Sequence, residues 1–135
     1  MFQILVHIHS ITRWAVLILL ILAIVNSFSR WQQKKGLSAG DMKKNLMAMA
    51  VTHLQVILGL VLYFQSAKVA NRFFAVEHFS LMLLAAILIT IGYSWSKRTT
   101  ENKQGVIAFA FYLAGLLSIL GGIPWPWMDY GTGWF

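Results

Sequence analysis

Four stretches of this chain hold no Asp, Glu, Lys or Arg: Trp14 to Ser29, Asn45 to Ala67, Phe79 to Ser96 and Gln104 to Met128. Each approaches the roughly 20 apolar residues that an α-helix needs to cross the hydrocarbon core of a bilayer. Only Arg13 interrupts an apolar pattern that already starts at Met1, so the first helix is expected to begin well before Trp14. The spacing predicts helices over about residues 4–28, 42–66, 73–96 and 104–122. Charged residues make up 11% of the chain, against about a quarter in a water-soluble domain. A soluble fold is thereby excluded. The connectors are short, which favours an all-α, up-down-up-down integral membrane bundle in one domain spanning residues 1–135. In such a bundle the first and third helices lie diagonally across the core, as do the second and fourth.

The charges sit between the apolar runs and are unevenly shared. The first connector holds Arg30, Lys34, Lys35, Lys43 and Lys44, and the third holds Lys97, Arg98 and Lys103. The middle connector has only Lys68 and Arg72, and the C-terminal tail has no basic residue. The net charge of +7 is therefore read as membrane orientation and not as a nucleic-acid surface. By the positive-inside rule both termini lie outside, which in a bacterial inner (plasma) membrane is the periplasm. The first segment lacks a preceding basic region and a small-residue cleavage site, so it reads as a span and not as a signal peptide. Residues 123–135 form an aromatic tail with Trp125, Trp127, Tyr130, Trp134 and Phe135. Pro124 and Pro126 stop helix four, and the aromatic rings suit the headgroup region.

The chain has no cysteine. Disulfides, thiolate metal sites, iron-sulfur clusters and covalent haem attachment are excluded together. Ionisable residues at membrane depth are costly and each calls for a role. They are His7, His9, Arg13, His53, Glu77 and His78. His9 and His78 each fall about six residues, roughly 9 Å, below the outer ends of helices one and three. Two imidazoles at one depth on diagonal helices can face each other with a flat cofactor between them, as in a bis-histidine haem. His53 lies roughly 10 Å deeper on helix two and finds no histidine opposite it. It suits a hydrogen bond to a quinone or a neighbouring helix, or proton transfer, with Tyr63 as a companion. His7 points away from His9 and reads as interfacial. Arg13 shares the His9 face, and with Arg72 it is a candidate for the haem carboxylates, Lys68 being weaker. Glu77 can orient an imidazole or remain solvated. Asn45, Thr52, Gly59 and Tyr63 on helix two, and Ala108, Tyr112, Gly115, Ile119 and Gly122 on helix four, form stripes that read chiefly as packing seams.

The segments HSITRW in helix one, THLQVILGLVLYF in helix two and EHFSLMLLAAILITIGY in helix three resemble a small four-helix, cytochrome b-like membrane protein family of Bacteroidota. More distantly they are similar to one four-helix half of haem A synthase. That second resemblance implies one haem ligand on the first helix and one on the third, at positions that correspond to His9 and His78. It also implies a glycine on the second helix, here Gly59 in the QVILG stretch, that lets the macrocycle approach. The chain departs from that enzyme at Val6 and Ser10, where the enzyme carries a glutamate and an arginine around its ligand, and it has one bundle instead of two. The carboxylate needed for haem modification is absent, and the haem-holding scaffold remains.

Three readings of function stay open on these residues. The first is a b-type cytochrome, an electron carrier more than a stand-alone enzyme, holding haem b and exchanging electrons with a periplasmic partner, a quinone or a respiratory complex. The second is a haem-free accessory or anchor subunit. The third is a quinone- or proton-handling membrane protein built around His53, Tyr63 and Tyr112.

Overall fold

The computed structural model describes all 135 residues, and every regular element is helical. Helix α1 spans Phe2–Gln32, α2 Ala39–Gln65, α3 Phe79–Arg98 and α4 Glu101–Gly122. A π-helical turn, Phe73–His78, leads directly into α3, so that span runs Phe73–Arg98. All four spans are long and apolar enough to cross a membrane. The protein is a multi-pass membrane protein.

Helix α1 packs on α2 and α4, and α3 packs on α4 and, more loosely, on α2. The expected diagonal arrangement of α1 and α3 is therefore present. Only 22 of 135 residues are buried by protein, and small side chains make up about half of them. Ala23, Ala48, Ala85 and Ala108 are wholly buried around Leu20 and Ile89, while Ile18, Val25, Ile57, Ile87 and Leu117 point outward and remain more than half exposed. This inversion is what a bilayer demands. Lipid tails solvate the large aliphatic side chains, and close approach of the backbones supplies the packing. Each helix adds one fully buried polar side chain, namely Ser27, Asn45, Ser96 and Tyr112.

The stripe read on α4 is a contact seam, as are Asn45 and Thr52 of the stripe on α2, whereas Gly59 and Tyr63 line a cavity. On α4, Ala108, Tyr112, Gly115, Ile119 and Gly122 are all buried, as are Asn45 and Thr52 on α2. Gly105 sits against the backbone of α1, where an added Cβ would lie 2.7 Å from Trp31 N and 2.8 Å from Ser27 O. Main-chain atoms cannot swing aside as a side chain can. Gly105→Ala is expected to destabilise the bundle by about 1–3 kcal/mol, measured by chemical unfolding in detergent micelles. An unchanged midpoint would show that α1 and α4 are not in contact there.

The basic end of the bundle is closed by local hydrogen bonding. Lys34 takes a left-handed conformation (φ 56°), and Lys35 N donates to Arg30 O while Lys34 N donates to Trp31 O, which satisfies the last carbonyls of α1. Ser38 then caps α2. Its hydroxyl accepts from Asp41 N at 3.1 Å, and its own N–H donates to Asp41 Oδ2 at 2.9 Å. Asp41 also accepts from Asn26 Nδ2 at 2.6 Å and Arg30 Nε at 2.8 Å, both on α1. Leu37 N donates to Gln104 Oε1 at 2.8 Å, and so ties this loop to α4.

Candidate functional site

At the opposite end the four helices diverge around a cavity of about 560 Å³, within the range of roughly 300–1,000 Å³ typical of ligand pockets. His9 on α1 and His78 at the end of the π-helical turn both line it, and their ring centres are 6.4 Å apart with an interplanar angle of 70°. The diagonal pair expected from counting helical rise is thus a pair in space. The π-helical turn belongs to the same region. Turns of this kind recur at functional sites because they break the regular register, and here Phe73 and Phe74 flank the His78 ring at 6.2 and 6.0 Å.

The hydrogen bonds of the two imidazoles differ. His78 Nδ1 lies 2.7 Å from Gly122 O. A carbonyl can only accept, so this nitrogen carries the proton and Nε2 keeps its lone pair for another partner. Gln55 Nε2 donates to His9 O at 2.9 Å and lies 3.4 Å from His9 Nε2. His9 Nδ1 and Gln55 Oε1 are buried without a partner. Gly59 supplies room beside the ring, since a Cβ at this position would lie 3.2 Å from His9 Cε1.

Arg13 lines the cavity, with its Nη2 donating to Trp134 O and its Nε buried without a partner. Lys68 reaches the same rim, donating to Gly131 O at 3.5 Å and lying over the Phe74 ring. Tyr63 lines the cavity as well. Other expected residues are placed elsewhere. The Arg72 side chain is 83% exposed and paired with Glu77 at 3.2 Å, outside the cavity. Glu77 bonds neither imidazole, and the Gly122 carbonyl takes the orienting role expected of it. His53 is exposed on the lipid side, its Nε2 2.8 Å from Thr90 Oγ1 across the seam between α2 and α3. It is not brought together with Tyr63. His7 is exposed at the cavity rim.

No family profile, no curated protein and no solved structure matches this chain. What the site can do must therefore follow from its own atoms. The cavity walls are mostly apolar, with two imidazoles facing inward and a guanidinium at the mouth. No group of three or more His, Cys, Asp or Glu side chains comes together. Side chains alone therefore do not build a coordination shell for a bare metal ion, which takes at least three protein ligands in the common sites.

Besides the π-helical turn, two features of the site escaped the reading of the sequence. A backbone carbonyl as the partner of His78 has no side-chain signature, and Gly122 was legible only as a packing residue. The tail, whose aromatic rings suit the membrane interface, also folds over the cavity, with Pro124, Gly131, Thr132, Gly133 and Phe135 among its walls.

Proposed function

We propose that this protein is a b-type cytochrome-like membrane protein that holds one haem between His9 and His78 and serves electron transfer. The observation that carries the reading is the spacing of the two rings. Two metal-nitrogen bonds of about 2 Å along one axis, with about 1 Å more from each nitrogen to its ring centre, place the centres about 6 Å apart. The observed distance is 6.4 Å. A pair of imidazoles is an incomplete shell for a free ion but a complete axial set for a metal whose other four positions are filled by a macrocycle.

The surrounding residues fit such a group. His78 keeps Nε2 available because Gly122 O holds the opposite nitrogen, the usual device for fixing a ligating imidazole. Gly59 leaves room on α2 for the His9 imidazole, and Arg13 and Lys68 place positive charge at the cavity, where it would suit the two haem carboxylates. Arg72 has no part in this set. Held by these two imidazoles, a haem would supply one-electron transfer chemistry. The chain's own residues would position the group, exclude water from its faces and neutralise its acid ends.

The eight basic residues in the two loops at the other end support an orientation with this cavity on the periplasmic side of a bacterial inner membrane. Electron exchange with a periplasmic partner or a membrane quinol follows from that placement. The deciding measurement is a reduced-minus-oxidised absorption spectrum of the purified protein produced with ample haem. A low-spin spectrum with a sharp Soret band is expected. Its absence, with the protein folded and co-purifying with a larger assembly, would favour the haem-free anchor reading.

A further inference from the structure

The last seven residues of the chain form a strap across the cavity mouth. Asp129 (φ 64°) and Gly131 (φ 70°) take left-handed backbone that turns the chain back toward α1. Tyr130 stacks on Phe73 with ring centres 4.4 Å apart and a 14° angle between the planes, and Trp134 stacks on Trp14 at 6.3 Å. Lys68 holds the Gly131 carbonyl. The Trp134 carbonyl is held twice, by the Arg13 guanidinium and by Trp14 Nε1 at 2.9 Å.

Arg13 is the unusual member of this set. Neither of the chain's two ion pairs, Arg30 with Asp41 and Arg72 with Glu77, includes it. A guanidinium carries five N–H donors in a rigid fork. One edge meets a neutral carbonyl, and Nε is buried without an acceptor. A cation at the mouth of an apolar cavity, with donors unfilled and no carboxylate of its own chain, is complementary to an acid group on whatever occupies that cavity.

We infer that Arg13 couples occupancy to closure. Its guanidinium holds the Trp134 carbonyl on one side and a carboxylate of the bound ligand on the other, so that ligand and strap stabilise each other. The coupling is reciprocal. A ligand that fixes Arg13 tightens the strap, and a strap that fixes Arg13 slows the ligand's escape. This rests on the haem reading for the identity of the ligand, and it adds that the acid end is what the strap senses.

The test uses the full chain in lipid nanodiscs, with haemin and haemin dimethyl ester as probes, and follows amide hydrogen exchange of residues 129–135 beside the Soret band. Haemin is expected to slow exchange of the strap about tenfold, within the usual range of such couplings. The dimethyl ester, which offers no carboxylate, should bind through the imidazoles and leave the strap's exchange unchanged. In Arg13→Gln the protection by haemin should vanish. Trp14→Phe removes one of the two donors to the Trp134 carbonyl at a residue that does not itself line the cavity. It should keep the haem spectrum while haem passes about fivefold faster to a scavenging acceptor protein. A Soret band with no change in strap exchange would overturn the coupling and leave the haem reading intact, as would equal protection by the ester. No binding of either probe would overturn both.

Discussion

Replacing His9 or His78 by alanine is expected to abolish the low-spin haem spectrum, while His53→Ala retains it. The two rings are the only imidazole pair brought together across the bundle, at 6.4 Å, and removal of either would leave a haem held as proposed with a single imidazole. A five-coordinate or weakly held haem shows a shifted, high-spin spectrum or dissociates on purification. His53 serves as the control because its ring is turned to the lipid side and bonded to Thr90 at 2.8 Å, so its loss removes one hydrogen bond between helices, worth about 0.6 kcal/mol in a membrane. Low-spin spectra in all three variants would show that neither His9 nor His78 is an axial ligand. Loss of the signal in His53→Ala alone would move the metal to the middle of α2 and end the present assignment.

Asp41→Ala is expected to give the largest loss of stability from a single change at the basic end, about 2–4 kcal/mol, with little effect on the haem spectrum. One carboxylate that is 4% exposed accepts from Asn26, Arg30 and the Ser38 N–H. It completes the cap of α2 and fastens α2 to α1 at the same time. Truncation removes every one of these acceptors and leaves Arg30 beside a buried gap, so the loss exceeds that of a cap alone, which is about 1 kcal/mol. Unfolding by a chemical denaturant in micelles measures it, and Asp41→Asn should recover part of the loss because an amide oxygen still accepts. A midpoint shift below about 0.5 kcal/mol would mean that the node is solvated, as surface ion pairs are.

Much of the architecture was legible from apolar run length. A span must satisfy its own backbone hydrogen bonds and cover roughly 30 Å of hydrocarbon, which leaves little freedom over where α1 to α4 begin and end. The seams on α2 and α4 were legible for a related reason, since small residues at helical spacing mark where two backbones can approach. His9 and His78 could be paired in advance because helix rise converts residue number into depth, and the bundle's topology converts helix order into diagonals. The same arithmetic set His53 apart. It did not reveal the π-helical turn that begins the third span, since a single widened turn changes no composition.

Rotation about the helix axis and the path of irregular chain are decided elsewhere. Arg72 was as plausible a partner for an acid group as Arg13 from position alone, yet it turns to solvent and pairs with Glu77. Glu77 was available to His78 by sequence, but the Gly122 carbonyl from α4 is the group within reach. The tail's aromatic content fits both a membrane interface and a cap over the bundle. The cap it forms depends on Trp14, Phe73 and Arg13, which are far away in sequence. The chain alone fixed four spans, their seams and the depth of each histidine, because those follow from local periodicity and the thickness of a bilayer. Only the packed bundle decided which polar groups meet at the cavity and that the tail closes over it, because such contacts join residues up to 121 positions apart and no local pattern records them.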